Sequence, residues 1–176
     1  MNYLSTLNYG YRILKSNNII SHKLDSELLL ASVLNKTREE VLTNLNSTLD
    51  KKKFYKFKKL LLRREQKEPI AYIFEKKDFW KQSFFVNKNV LIPRPETEII
   101  VEEVLKLTDD NSSKRFLDVG TGSGCVILSI IKERPNSFGT AIDICKKAIK
   151  IASFNAKMHH LENKIKFINI NIDKFT

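Results

Sequence analysis

One segment restricts the fold of this chain more than any other: Phe116-Leu117-Asp118-Val119-Gly120-Thr121-Gly122-Ser123-Gly124, an apolar stretch that runs into three alternating glycines. A helix-forming run beginning at Cys125 follows directly. A strand that ends in glycines and opens a helix brings bare backbone to the carboxyl edge of a parallel sheet, where a ligand can approach it closely. A dinucleotide fingerprint reads GxGxxG and seats a pyrophosphate on the helix N-terminus. Here the form is DxGxGxG, which fits S-adenosylmethionine better. Asp143 lies nineteen positions after Gly124, directly after the next β-type run, where an acid can accept hydrogen bonds from both ribose hydroxyls of an adenosyl group. Without a ligand the loop would be a tight strand-to-helix turn, a reading that Asp143 disfavours. Asp118 stays open between two roles, orienting the amino group of the donor or holding the loop by accepting backbone N–H groups.

The flanking pattern supplies the sheet. Strands are expected at Arg115 to Val119, Phe138 to Ile142 and Ile165 to Ile170, with helices at Cys125 to Arg134 and Lys146 to Met158. Strands alternating with helices of this length imply parallel pairing through right-handed crossovers. Before them, Pro93 and Pro95 introduce a helix over about Glu96 to Leu107, whose first turn carries Glu96 and Glu98 at the positive end of its dipole.

The first third reads differently. Leu28, Leu29, Leu30, Val33 and Leu34 follow a helical spacing, and Thr37 with Glu40 forms a capping box before a helix at Glu39 to Leu45. A further helix from Lys51 to Arg64 sets Phe54, Phe57, Leu60 and Leu61 on one stripe and lysines on the other. After Pro69 the segments Ile70 to Phe74, Phe79 to Trp80 and Phe84 to Val86 read as β structure, with a turn near Lys81 to Ser83 and another at Asn87 to Asn89. The expected fold class is therefore α/β: a small helical bundle at 1–66, a β-hairpin linker at 67–92, and part of a Rossmann-like parallel sheet at 93–176.

No apolar run approaches the roughly 18 residues of a spanning helix, and the N-terminus lacks the pattern of a signal peptide, so a cytoplasmic location without membrane contact is expected. Cys125 and Cys145, the two cysteines, have no CxxC spacing and no histidine at ligand distance, so they read as structural thiols, and no metal site is expected. The formal net charge of +11 is compatible with an acidic partner. Lysine, asparagine and isoleucine are abundant throughout, which an AT-rich coding sequence would also produce.

Four stretches share one resemblance: Arg63-Arg64 to Pro69-Ile70-Ala71-Tyr72, Asp78-Phe79-Trp80, Leu91-Ile92-Pro93-Arg94-Pro95-Glu96-Thr97-Glu98, and the loop Asp118 to Gly124. Together they resemble the glutamine N(5)-methyltransferases of the HemK type, over nearly the whole chain. The resemblance implies a class I methyltransferase sheet, S-adenosylmethionine as methyl donor, and a helical domain that recognises peptide-chain release factors. It places Asp118, Gly120, Thr121, Gly122, Ser123, Gly124 and Asp143 at the donor, and Arg94, Pro95, Glu96, Thr97 and Glu98 beside it. A rigid bend before a helix accounts for Pro93-Arg94-Pro95 equally well.

The chain departs from the family in four places. Asn171 stands where an acid beside the adenine is expected, and Ile172 where an aromatic ring usually stacks, although an asparagine can still accept a hydrogen bond through its carbonyl oxygen. Glu75 occupies a position commonly held by glycine. No Asn-Pro-Pro-Tyr loop occurs before Thr176, and in the family that loop accepts the amide hydrogens of the target glutamine. The catalytic residues are therefore unknown, and His159 and His160 read as surface residues at a helix end. The sequence is expected to be a fragment or a truncated product, inactive alone. Methylation of a glutamine in a ribosomal protein shares these motifs. A non-catalytic module that docks on translation factors and an adenine methyltransferase acting on nucleic acid are the other readings.

Overall fold

A computed structural model describes residues 1–111 and 113–175; Ser112 and Thr176, which the expected 93–176 segment includes, lie outside the described residues. The chain forms two compact units, Met1–Ile73 and Phe74–Thr176.

The first unit is helical: α1 (Tyr3–Ser16), α2 (His22–Leu34), α3 (Arg38–Thr43), α4 (Lys51–Glu65) and α5 (Ile70–Ile73). Side chains that satisfy the free N–H groups of the first turn start several of these helices. Asn2 accepts from Ser5 N at 2.9 Å and Asp50 from Lys53 N at 2.7 Å. The capping box is present, with Glu40 N donating to Thr37 Oγ1 at 3.2 Å and Thr37 N to Glu40 Oε2 at 2.7 Å. Leu7 and Leu14 of α1, Leu29 and Leu30 of α2, and Phe57 and Leu61 of α4 form the fully buried core. Gly10 permits this packing, because a Cβ there would lie 2.9 Å from the Phe57 ring and 2.8 Å from Ser26 Oγ.

The segment expected as a strand at Ile70 to Phe74 is instead the short helix α5. Pro69 opens it, since its carbonyl accepts from Tyr72 N and Ile73 N. Arg63 then holds the other end, donating to Glu68 through Nε and Nη2, both at 2.7 Å, and towards the Tyr72 and Ile73 carbonyls at 3.4 Å. Arg64 pairs with the buried Asp25 at 2.7 Å. A four-residue turn fixed by an arginine seven residues before it leaves no periodic signal, which is why propensity alone misreads it.

The second unit opens on a hairpin, β1 (Lys76–Phe79) and β2 (Gln82–Phe85), whose turn is Trp80-Lys81 rather than Lys81 to Ser83. Glu75 has φ of +53°, in the left-handed region that glycine enters without steric cost, so a glycine would fit this position without strain. A 3-10 turn (Pro95–Thr97) leads into α6 (Glu98–Lys106), two residues later than expected. Then follow β3 (Arg115–Val119), α7 (Cys125–Glu133), β4 (Phe138–Asp143), α8 (Lys146–Met158), β5 (Ile165–Asn169) and a closing 3-10 turn (Ile172–Lys174). The three long strands are parallel in the order β3-β4-β5, the arrangement expected for the first half of a class I methyltransferase sheet.

Helices α7 and α8 cover one face of this sheet, where Ile127, Leu128 and Ile131 pack with Ala141, Ala156 and Ile165. The hairpin adds Phe79 and Phe84 to the same core, and α6 adds Val101. On the opposite face Leu117 and Val119 remain 49% and 52% exposed, while Ile142 beside Val119 is buried. Arg134 closes the far end, donating to the Leu105 and Thr108 carbonyls at 2.7 Å and so capping the α6 C-terminus. No helix among the described residues is long and apolar enough to cross a membrane.

Candidate functional site

Parallel register brings the ends of the three strands to one edge. Val119 pairs with Ile142 and Asp143 with Asn169, so Asp118 to Gly124, Asp143, Asn171 and Ile172 all lie at or just beyond strand ends on the same side. The backbone then fixes the loop. Gly120 N and Thr121 N both donate to the Ile142 carbonyl, at 2.9 and 3.1 Å, and Gly124 N closes a tight turn onto the Thr121 carbonyl at 2.8 Å.

The glycines divide into two roles. All three have positive φ, +75° at Gly120, +56° at Gly122 and +81° at Gly124. A Cβ at Gly120 would meet nothing within 4 Å, whereas one at Gly124 would lie 3.0 Å from Leu128 and 3.2 Å from the Ala152 Cβ. Gly124 thus lets α7 pack against α8, while Gly120 faces open space and leaves its backbone accessible to a ligand.

Two carboxylates stand at this edge. Asp143 is built into the loop: its Oδ2 accepts from Gly122 N at 3.0 Å and its Oδ1 from Cys145 N at 2.8 Å. A carboxylate offers about four lone-pair directions, so these contacts leave acceptor capacity for hydroxyl groups of a ligand. Asp118 accepts from Thr121 Oγ1 at 2.7 Å. Burial raises the Asp118 carboxyl above its usual range, the Thr121 hydroxyl and the Ile127 backbone oppose that rise, and the nearby Asp143 charge adds to it. Burial also pushes the Cys125 thiol up to about 11, which suits an inert packing residue.

The remaining expected residues lie at the edge or apart from it. Asn171 caps the final 3-10 turn, its side-chain oxygen accepting from Asp173 N at 3.1 Å, and Ile172 is exposed beside it. Arg94, Pro95 and Glu96 are exposed. Glu98 Oε1 accepts from Trp80 N at 2.7 Å, which ties the start of α6 to the hairpin turn.

Two contributors carry no motif. Asn155 is fully buried on α8 and makes three bonds: Nδ2 donates to the Ser123 carbonyl at 2.8 Å and the Phe85 carbonyl at 3.0 Å, and Oδ1 accepts from Phe85 N at 2.8 Å. It thereby fastens the glycine loop to the hairpin. Asn169 donates to the Asp143 and Ile144 carbonyls, both at 2.9 Å, and shapes the turn that presents Asp143. An asparagine on the apolar side of a helix pattern is the one signal that could have marked Asn155.

The chain is similar to known proteins in both of its units. Residues 5–74 match the PrmC N-terminal domain and residues 110–176 a methyltransferase domain. A release factor glutamine methyltransferase of Coxiella burnetii is 43% identical over 141 residues, covering 80% of this chain and 51% of that protein. One of Leptospira interrogans is 40% identical over 154 residues, covering 87% and 54%. A bifunctional methyltransferase of Rickettsia typhi is 38% identical over 167 residues, covering 85% and 32%. The chain spans about half the length of the first two relatives and about a third of the last.

Proposed function

We propose that this chain, in which a match to a PrmC N-terminal domain precedes a match to a methyltransferase domain, forms the donor-binding part of a release factor glutamine methyltransferase. The proposed reaction transfers a methyl group from S-adenosylmethionine to the side-chain nitrogen of a glutamine in a peptide-chain release factor. The observation that carries this reading is the convergence of an open glycine backbone with two carboxylates at one sheet edge.

The electrostatics favour that donor over a dinucleotide. Asp118 and Asp143 set negative charge at the loop, which opposes a pyrophosphate on the α7 N-terminus and attracts the positive sulfonium and ammonium groups of S-adenosylmethionine. In this proposal Gly120 and Gly122 admit the donor to the backbone, Asp118 faces its amino end, and Asp143 accepts from the ribose hydroxyls. Asn171 and Ile172 border the adenine, and Arg94 to Glu98 lie towards the acceptor. When bound, S-adenosylmethionine supplies the electrophilic methyl group. Orienting the weakly nucleophilic amide falls to groups other than those described at this edge, so the 176 residues alone are proposed to bind donor without turning over.

Titration calorimetry with S-adenosylmethionine tests the donor site. Asp143→Ala should weaken binding by about tenfold or more, the effect of removing a charged acceptor from hydroxyl donors. Because Asp143 also holds Gly122 N and Cys145 N, Gly120→Asn serves as the independent probe, since asparagine tolerates the left-handed φ of this position and its side chain fills the open approach. Unchanged affinity in both variants removes the loop from the donor site. A radiolabelled methyl assay with a release factor should show no labelling by the chain alone, and labelling of a glutamine would overturn that part.

A further inference from the structure

The positive charge of the helical unit is concentrated on one helix. Helix α4 carries six lysines and two arginines against the single Glu65, while the six other basic residues of Met1–Ile73 are balanced by six acids. A coding bias would scatter lysines through the unit, so it does not account for this pattern. Both arginines are already engaged, Arg63 with Glu68 and Arg64 with Asp25, and the six lysines are exposed.

Beside these lysines runs an apolar groove of about 250 Å³ between α1 and α4. Ile13 and Leu62 contribute aliphatic walls, Tyr9 and Tyr55 the aromatic ones, and Lys58 and Lys59 the rim. Leu62 is 54% exposed and Tyr55 62% exposed, and the two lie side by side in the groove, so it leaves contiguous apolar surface in water.

We propose that the α1–α4 groove is a protein-docking site that takes an apolar side chain projecting from an acidic surface of the partner. The proposal rests on the reading of a protein acceptor given above and names where the helical unit holds it. Charge complementarity selects an acidic partner, and the aliphatic walls select an apolar anchor within it. A nucleic acid fits less well. Its bases need free aromatic faces, but Lys59 Nζ lies 5.3 Å from the Tyr55 centroid and Lys58 Nζ 6.0 Å from that of Phe54. Phe54 also meets Tyr9 edge to face at 5.7 Å. The helix offers no free guanidinium fork for phosphates, since Arg63 and Arg64 are committed to carboxylates within the unit.

The test measures binding of the 176-residue chain to a purified bacterial release factor at low and high salt, with S-adenosylmethionine affinity and thermal melting as controls. Lys58→Glu with Lys59→Glu should weaken release-factor binding about tenfold or more at low salt and flatten its salt dependence. Leu62→Ser should weaken it several-fold at both salt concentrations. All three positions are exposed, so melting and donor affinity should be unchanged. Equal binding by the wild type and the double variant overturns the groove assignment and leaves the methyltransferase reading intact. Failure of the wild type to bind a release factor, with donor binding retained, overturns the groove assignment and the release-factor reading together. Displacement of the release factor by a single-stranded oligonucleotide, with loss of oligonucleotide binding in the double variant, overturns it in favour of nucleic acid.

Discussion

In the helical unit Leu7, Leu14, Leu29, Leu30, Phe57 and Leu61 are at most 2% exposed, drawn from three helices into one centre. In the sheet unit the strand that carries the glycine loop leaves Leu117 and Val119 about half exposed, on the face opposite α7 and α8. One unit closes its core among three helices, and the other leaves the β3 side of one sheet face half exposed. The difference follows from geometry. A helix needs one apolar stripe covered, but a parallel sheet presents two faces and an edge, each of which costs stability when left in water. The proposed donor edge is built on the less protected unit, so its rigidity depends on local clamps rather than on depth.

The largest expected effect tests that contrast directly. Phe57→Ala should destabilise the helical unit by about 3–5 kcal/mol, the cost of a cavity in a closed core. Leu117→Ala on the half-exposed face should cost the sheet unit about 0.5 kcal/mol or less. Amide hydrogen exchange in urea reads the two units separately. A Leu117 effect near that of Phe57 would break the comparison by showing that the face is covered in solution, and its dependence on protein concentration would show whether a second copy covers it.

The parts visible in sequence were those whose signal is local. The capping box at Thr37 and Glu40, the stripe ending in Phe57 and Leu61, and the three β-runs around Asp118, Ala141 and Phe167 each declare themselves within a few residues. The segments that misled depend on partners distant in sequence. Residues Ile70 to Ile73 have strand-like composition but are held as a helix by Arg63, and the hairpin turn falls on Trp80 because Glu98 accepts its N–H. The same holds at the site. The glycines and Asp143 were legible from spacing, whereas Asn155 acts across thirty-two residues to Ser123 and seventy to Phe85.

Asn155 gives the second test, intermediate in size. Asn155→Ala leaves the Ser123 carbonyl and both backbone groups of Phe85 without their partner in a buried setting, and should cost the sheet unit about 2–3 kcal/mol. Affinity for S-adenosylmethionine should fall with it, because the glycine loop loses its tie to the hairpin. A helical-unit residue such as Phe57 should by contrast leave donor affinity unchanged under conditions where the chain remains folded. Loss of stability with intact donor affinity in Asn155→Ala would show that the Ile142 and Asp143 contacts hold the loop by themselves.

The smallest effect comes from His159, which sequence placed on the surface at the end of α8. Its ring instead packs 5.0 Å from Phe84, with Nε2 buried and without a hydrogen-bond partner among the described residues. Burial lowers its pKa below the ordinary histidine range; the charges of Lys132 and His160 add to the fall, and the Ser83 backbone opposes it. A histidine whose pKa is lower in the folded state binds fewer protons there than in the unfolded chain, so acid favours unfolding. Its contribution is constant above the unfolded pKa of about 6.5, falls as pH drops through that value, and levels off below the folded pKa. Urea midpoints of the sheet unit should therefore decline between about pH 7.5 and about pH 5.5, above the range where carboxylates titrate. His159→Phe should flatten that decline while preserving the contact with Phe84. An equal decline in wild type and variant would assign the pH dependence to other groups and leave the half-covered sheet unit without this acid-sensitive point.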